Sequence, residues 1–340
     1  MWDYYVAIEV EAKKKAKTYD DCLSKARKET DKERRKQQEE ECRKKLREGV
    51  PNDPASTLVG RLLDEATLWW FLGLGNKEDA RKHLYMAPAQ NASLHEAGKI
   101  TENLDFRANF NELPSAHWLA LQVDFELLTP WYSKDDRVFH LLDNPVRKDR
   151  VFGIPFMAAS SWKGMLRWAC RMQAGLREHL EKHGNTAEWS DPEWILHLFG
   201  NEKGEAEEFS RGALVFYPTW FDRIGFQVIN PHSREHRAGT KPIYYEVVPP
   251  GAKGTLSLLY APWPGMEFKP NPQEVLPKLL KAIETLLTVY GISAKRTVGW
   301  GTAKIERWRA FHKTQESVEK ESGEVLWQEV QNWLQGGGTP

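Results

Sequence analysis

The sequence predicts an α+β fold, a mainly antiparallel sheet with helices on one face, preceded by a helical N-terminal extension. Three observations lead there. Residues 11–48 are dense in charge and free of glycine and proline, a composition that favours helix. From residue 117 onward, short apolar runs recur between turn residues, the pattern of buried or half-buried strands. A 3.6-periodic stretch over 273–290 then leads through a glycine-rich loop into one more strand. The boundaries implied are 1–115 for the helical extension, 116–312 for the α+β domain and 313–340 for a tail with a short helix.

In the extension, the apolar positions of 11–48 are few and scattered, Tyr19, Leu23 and Ala26 early and then Cys42 and Leu46, which suits a solvated helix or helical hairpin. An RNA-contacting arm is the second reading of that tract. Pro51-Asn52-Asp53-Pro54 breaks it. Ser56 or Thr57 can cap a helix that turns Leu58, Val59, Leu62, Leu63, Ala66, Trp69 and Leu72 inward and ends near Gly73 and Gly75. A short helix is expected over 77–85, then a polar connection over 88–114. Strands are expected at 118–127, 212–217, 243–248, 254–260 and 302–308, and helices around 162–183, 194–199, 273–290 and 325–334. Residues 226–239 read as a loop.

Composition sets limits on function. With 340 residues, 41% hydrophobic and 28% charged, the chain belongs with soluble globular proteins and is long enough for roughly two domains. Lys and Arg total 48 and so do Asp and Glu, so any nucleic-acid role must come from local patches or a site shared with other subunits. Three widely spaced cysteines, Cys22, Cys42 and Cys170, suggest neither a disulfide framework nor a zinc motif. No apolar run approaches the roughly 18 residues of a membrane span, and Met1-Trp2-Asp3 does not open a signal peptide, so a cytoplasmic protein without membrane partners is expected.

The stretch 142–171 holds the densest chemistry. Asp143-Asn144-Pro145 forms a turn followed by Arg147 and Lys148. Ser160-Ser161 offers hydroxyl caps to a helix on which Lys163, Arg167 and Arg171 recur every four residues, while Trp162, Met165, Leu166 and Ala169 face the other way. Gly164 would admit a close backbone approach. A helix N-terminus followed by a cationic stripe suits an anionic polymer, and an ordinary solvated face explains the same spacing. Far along the chain, the loop 291–301 contains Lys295, Arg296, Gly299 and Gly301, donors suited to phosphates or simply a tight turn. His232-Ser233-Arg234-Glu235-His236 fits an inverted zinc-protease pattern in letters only, since Pro231 and Gly239 deny it the helix that chemistry requires.

Residues 154–167, from Ile154-Pro155-Phe156-Met157 through Ser160-Ser161-Trp162-Lys163-Gly164 to Arg167, resemble the P-x-I-P-G-S-S-x-K-G-x-x-R signature of the RAMP superfamily. Leu198-Phe199-Gly200, the run from Gly212 to Phe216 and the glycine loop resemble its other elements, so the resemblance covers about residues 117–310. The sequence departs from it at Ala158-Ala159, where Pro-Gly is usual, and at Trp162, where a smaller apolar residue is usual. The resemblance implies a ferredoxin-like (RRM-like) fold and an RNA-binding subunit of a type III CRISPR effector complex, similar to the Csm and Cmr backbone proteins. Asn230-Pro231-His232 and the helical extension are similar to the Cmr subunit that ends the backbone.

Leu142-Asp143-Asn144-Pro145-Val146 resembles instead the I-D-x-P-V loop of target-cleaving backbone subunits. That likeness implies that Asp143 cuts complementary target RNA with Mg2+ or another divalent cation, and no organic cofactor is implied. Arg147 or Lys148 would offset charge on the phosphate that is cut, and RNA contacts are then expected at Arg147, Lys148, Ser160, Ser161, Lys163, Gly164, Arg167, Arg171, His232, Lys295, Arg296, Gly299 and Gly301. The partners are guide RNA, target RNA and other effector subunits. An Asx-type turn is the competing reading of Asp143. Two rival functions remain: a non-catalytic backbone or capping subunit that only binds guide RNA, and a guide-RNA processing endoribonuclease.

Overall fold

The computed structural model describes residues 2–48, 59–91, 108–135, 140–149, 153–201, 210–231, 242–266 and 269–334. In chain order the helices are α1 (Trp2–Ala26), α2 (Lys32–Glu48), α3 (Val59–Phe71), α4 (Lys77–Asp79), α5 (Ala87–Asn91), α6 (Ala159–Gln173), α7 (Leu176–His183), α8 (Glu193–Phe199), α9 (Pro272–Thr285) and α10 (Gly323–Val330). The strands are β1 (Leu119–Leu127), β2 (Phe156–Met157), β3 (Leu214–Phe216), β4 (Thr219–Trp220), β5 (Gly225–Ile229), β6 (Ile243–Val247), β7 (Lys253–Tyr260), β8 (Ala303–Phe311) and β9 (Val318–Lys320).

Two compact units interleave along the chain. One comprises Met1–Leu104, Tyr132–Pro155 and Asp222–Pro249; the other comprises Asp105–Trp131, Phe156–Phe221 and Pro250–Pro340. Consecutive blocks at 1–115, 116–312 and 313–340 do not express this, because the chain returns to the first unit twice.

The second unit is built on a five-stranded antiparallel sheet in the order β3-β7-β1-β8-β9. The chain runs β1-α6-β3 and then β7-α9-β8, so the first four of these strands form two β-α-β halves around a central β1, the ferredoxin-like arrangement. Alternation on β1 sets the faces: Leu119, Leu121, Val123, Phe125 and Leu127 are buried, and Phe125 meets Trp162 of α6 edge-on at 6.2 Å. From α9, Val275, Leu276, Leu279, Leu280 and Ile283 are buried in the same unit. Asn271 caps α9 by accepting from the Gln273 amide at 3.0 Å, with Pro272 in the first turn where its missing N–H costs nothing. On the other face of the sheet, Phe110 and Leu113 cover Ala120 and Leu259, while Asp124 takes Arg309 and the Thr255 hydroxyl.

In the first unit α1 and α2 form a hairpin, and Asp31 caps α2 by accepting from the amides of Glu33 and Arg34. A disulfide joins Cys22 to Cys42, which corrects the expectation that the cysteines make no bridge. Spacing along the chain could not show that positions 20 apart face each other across a hairpin. Leu63, Ala66 and Trp69 of α3 are buried, and Trp69 packs on Tyr19. The expected Ser56 or Thr57 cap lies outside the described residues. The short helix of 77–85 is longer than expected: α4 continues through a π-helical stretch, Ala80–Met86, into α5. Residues 226–229, read as the start of a loop, belong to the strand β5, paired antiparallel with β6. The strand is short and its Val228 is exposed. The tail likewise adds β9 at the sheet edge as well as the expected helix, α10.

Candidate functional site

In the second unit, α6 and the glycine loop come together. The α6 N-cap is Ala158 and makes no side-chain hydrogen bond, so Ser160 and Ser161 are not caps, contrary to expectation; they lie within the first helical turn. Neither hydroxyl has a partner among the described residues, and Ser160 is exposed. The helix start therefore presents polar groups that no side chain of α6 closes off. Trp162, at the position where the family has a smaller residue, is fully buried and donates its indole N–H to the Thr219 hydroxyl at 2.9 Å. Gly164 is exposed, and a Cβ there would meet nothing within 4 Å. Packing within this unit does not require a glycine at that helix-interior position.

The cationic stripe divides. Lys163 is exposed and has no partner among the described residues; partial desolvation, then the charge of Arg167, hold its ammonium below the usual lysine range. Arg167 and Arg171 both turn onto Asp191, in the turn before α8. Arg167 Nε lies 2.8 Å from Oδ2, and Arg171 Nε lies 2.6 Å from Oδ1. Burial alone would raise the Asp191 carboxyl, but hydrogen bonds from Arg171, Trp189 and Arg167 hold it below its ordinary value. Arg167 is buried, so as an RNA contact it is corrected to a structural ion pair; Arg171 is half-buried in the same pair.

The loop before β8 meets α6 through Arg296, whose guanidinium lies 4.4 Å from the Trp168 ring centroid; Trp168 in turn packs edge-on against Tyr290. Lys295 is half-exposed, and its amide donates to the Ser293 hydroxyl. Gly301 answers to the fold itself: its φ is +91° and a Cβ would fall 2.3 Å from the Ser293 nitrogen. Gly299 also has positive φ, at the end of the turn Arg296–Val298, with open space around it.

In the first unit, the loop 140–149 holds Asp143 outward. Leu141, Leu142, Pro145, Val146 and Lys148 are buried around it, whereas the Asp143 side chain is 71% exposed. The loop is tied to β6: Asn144 donates to the Tyr244 carbonyl and accepts from the Glu246 amide, both at 3.0 Å, and the Val146 amide donates to the Glu246 carboxylate at 3.0 Å. Lys148 is fully buried at its side chain, paired with Glu246 and donating to the Tyr85 hydroxyl at 2.9 Å; Tyr85 in turn donates to Glu246. Lys148 is thus corrected from an RNA contact to a buried member of a Lys148–Glu246–Tyr85 cluster. Arg147 is half-buried, with its amide donating to the Ser133 carbonyl.

Asp143 does not make the Asx turn. Pro145, two residues on, has no N–H to give, and the next amide, Val146, goes to Glu246. Among the described residues the Asp143 carboxylate has one partner, Lys77 Nζ of α4 at 3.3 Å. Among the described residues no group of three or more His, Cys, Asp or Glu side chains gathers to hold a metal, so a divalent ion here would rest on Asp143 together with RNA phosphates. His232 and the whole His232-to-His236 element lie outside the described residues.

Sequence reading missed Lys77, Tyr85, Glu246, Asp191 and Trp168. Only Lys77 left a local trace, in the helix-start signature that follows Asn76, the cap whose side chain accepts from the Asp79 amide. The carboxylates that take the cations lie 98 residues from Lys148 and 24 from Arg167 along the chain.

A four-stranded β-α-β-β-α-β sheet of this order is also the framework of RRM modules. The comparisons give the family: the family model of the RAMP superfamily matches residues 124–304, just over half of the chain, and the protein belongs to that superfamily. No curated protein matches the chain. Among solved structures, a chain of a type III-B Cmr-beta assembly bound to cognate target RNA, determined by cryo-EM, is similar at 16% identity and a TM-score of 0.42. That likeness covers 58% of this chain and 62% of the other, so it spans less than two thirds of the neighbour's own length. No helix among the described residues is long and apolar enough to cross a membrane.

Proposed function

We propose that this protein is a guide-RNA-binding backbone subunit of a type III CRISPR ribonucleoprotein and that it cleaves complementary target RNA with Asp143. Membership of the RAMP superfamily supports the first half. Guide RNA would lie along the α6 start and the glycine loop, contacted by Ser160, Ser161, Lys163, Gly164, Lys295 and Arg296. Its phosphates would meet the guanidinium of Arg296, preorganised on Trp168. Other effector subunits would share that groove, which is consistent with a net charge of zero.

One observation supports the second half. Asp143 is held outward by buried neighbours on both sides, with its carboxylate engaged by no backbone amide among the described residues. Such a carboxylate is placed to accept a 2′-hydroxyl proton from RNA. Replacing Asp143 with Ala in a reconstituted complex is expected to abolish target cleavage while guide RNA stays bound. Unchanged cleavage would leave a purely binding backbone or capping subunit. A preparation that neither co-purifies with nucleic acid, judged by its 260/280 nm absorbance ratio, nor binds guide RNA would overturn the RNA-binding half.

A further inference from the structure

Lys148 is buried, so it is withdrawn as a cation for the cut phosphate, and the geometry places another beside Asp143 from an unexpected part of the chain. Lys77 is the first residue of α4, and its ammonium lies 3.3 Å from Asp143 Oδ1 and 5.4 Å from the centroid of the Trp70 ring. Its neighbours Arg81 and Lys82 are both engaged by Glu78. Exposed ion pairs contribute little to stability, about 0–1 kcal/mol, so the Lys77–Asp143 pair does not explain itself as a device that holds the fold.

The juxtaposition is built from below. Tyr85, in the same helical run as Lys77, is fully buried and donates its hydroxyl to Glu246. Glu246 also accepts the amide of Val146, three residues after Asp143, and pairs with Lys148. A single buried carboxylate therefore fixes both the helix that bears Lys77 and the loop that bears Asp143. Arg81 adds a second tie, its guanidinium 5.1 Å from the ring centroid of Tyr244, whose carbonyl accepts from Asn144.

We infer that Lys77, from the N-terminal helical extension, is a catalytic residue of the Asp143 site, and that Tyr85, Glu246 and Lys148 are its positioning residues. The inference rests on the reading of Asp143 as the target-cutting carboxylate. Asp143 takes the proton of a target 2′-hydroxyl while that oxygen bonds to the adjacent phosphorus. Lys77 neutralises the charge gathering on the phosphoryl oxygens and gives a proton to the 5′-oxygen as its bond to phosphorus breaks. The products are a 2′,3′-cyclic phosphate and a 5′-hydroxyl end. The proton on Asp143 then passes to the Lys77 amine across the short gap between them, and both groups return to their starting states.

The test uses the full chain in a reconstituted ribonucleoprotein, with guide RNA and a labelled complementary RNA, under single-turnover conditions. Lys77→Met is expected to lower the cleavage rate constant by about 100- to 1,000-fold, the range found for loss of one transition-state charge donor. Guide occupancy and target affinity should stay within about twofold, and Lys77→Arg, which keeps the charge but gives up no proton, should recover only part of the rate. Tyr85→Phe, which deletes one buried hydroxyl, should slow cleavage without weakening target binding. In the Lys77→Met background Tyr85→Phe should add nothing, because it acts through the missing ammonium. Lys77→Met cutting at the parental rate, while Asp143→Asn is inactive, would overturn the assignment of Lys77 and leave that of Asp143 standing. Asp143→Asn cutting normally would overturn both.

Discussion

Lys148 and Arg167 both read from the sequence as cations for RNA, and both are turned inward onto a carboxylate, Glu246 in one unit and Asp191 in the other. What remains at the surface differs. Beside Lys148 the loop displays Asp143 with Lys77, an acid and an ammonium in contact, a pair that can exchange a proton. Beside Arg167 the helix displays Lys163, Ser160 and the open flank of Gly164, and Arg296 lies on Trp168. Among the described residues Lys163 and Arg296 form no ion pair with a carboxylate, which suits that surface to a polyanion. On the function proposed above, buried ion pairs of the same kind would support a cleaving site in one unit and an RNA-holding surface in the other.

The largest effects should come from breaking the buried pairs. Glu246→Ala and Asp191→Ala each strand a buried cation and are expected to cost about 3–5 kcal/mol in chemical denaturation. A cost below about 1 kcal/mol for either would show that its cation can escape to solvent, and the parallel between the units would fail. Acid should expose the same pair in the second unit. The folded Asp191 carboxyl lies below its ordinary value, so its contribution is complete above the unfolded value of about 3.9 and is lost as pH falls through the folded one. Asp191→Asn should flatten the acid limb of a stability–pH curve in that window.

Smaller effects separate gripping from reacting. Gly164→Ala places a methyl in open space and should stabilise α6 by about 1 kcal/mol. If RNA approaches that backbone, the same change should weaken guide-RNA binding about tenfold, equivalent to about 1.4 kcal/mol. Stability and affinity moving in the same direction would count against the contact. Smallest of all, Lys163→Met should change stability by less than about 0.5 kcal/mol and reduce the salt dependence of RNA binding by about one phosphate contact.

The sheet of the second unit was legible in the sequence because its period is local: β1 alternates, α9 repeats every three to four residues and Gly301 can occupy its turn only without a side chain. The family motif likewise located α6 and the loop that meets it. The destination of each cation was not legible, since Lys148 and Lys163 look alike until a carboxylate from elsewhere in the chain claims one of them. One feature could have been read and was not. Pro145 has no N–H, so an Asx turn through that residue was already ruled out by the letters Asp-Asn-Pro.

The Cys22–Cys42 bridge ties together two helices in which Ala16, Tyr19, Ala26 and Cys42 are the buried hydrophobic residues among the described side chains. The bond acts on the unfolded chain, whose freedom it curtails by closing a loop of 20 residues, an effect of about 3 kcal/mol in the chain-entropy account. The hairpin's persistence would then depend on the electron supply of its surroundings: a reductant that left every folded contact intact would still restore to the unfolded ensemble the conformations that the bond had removed.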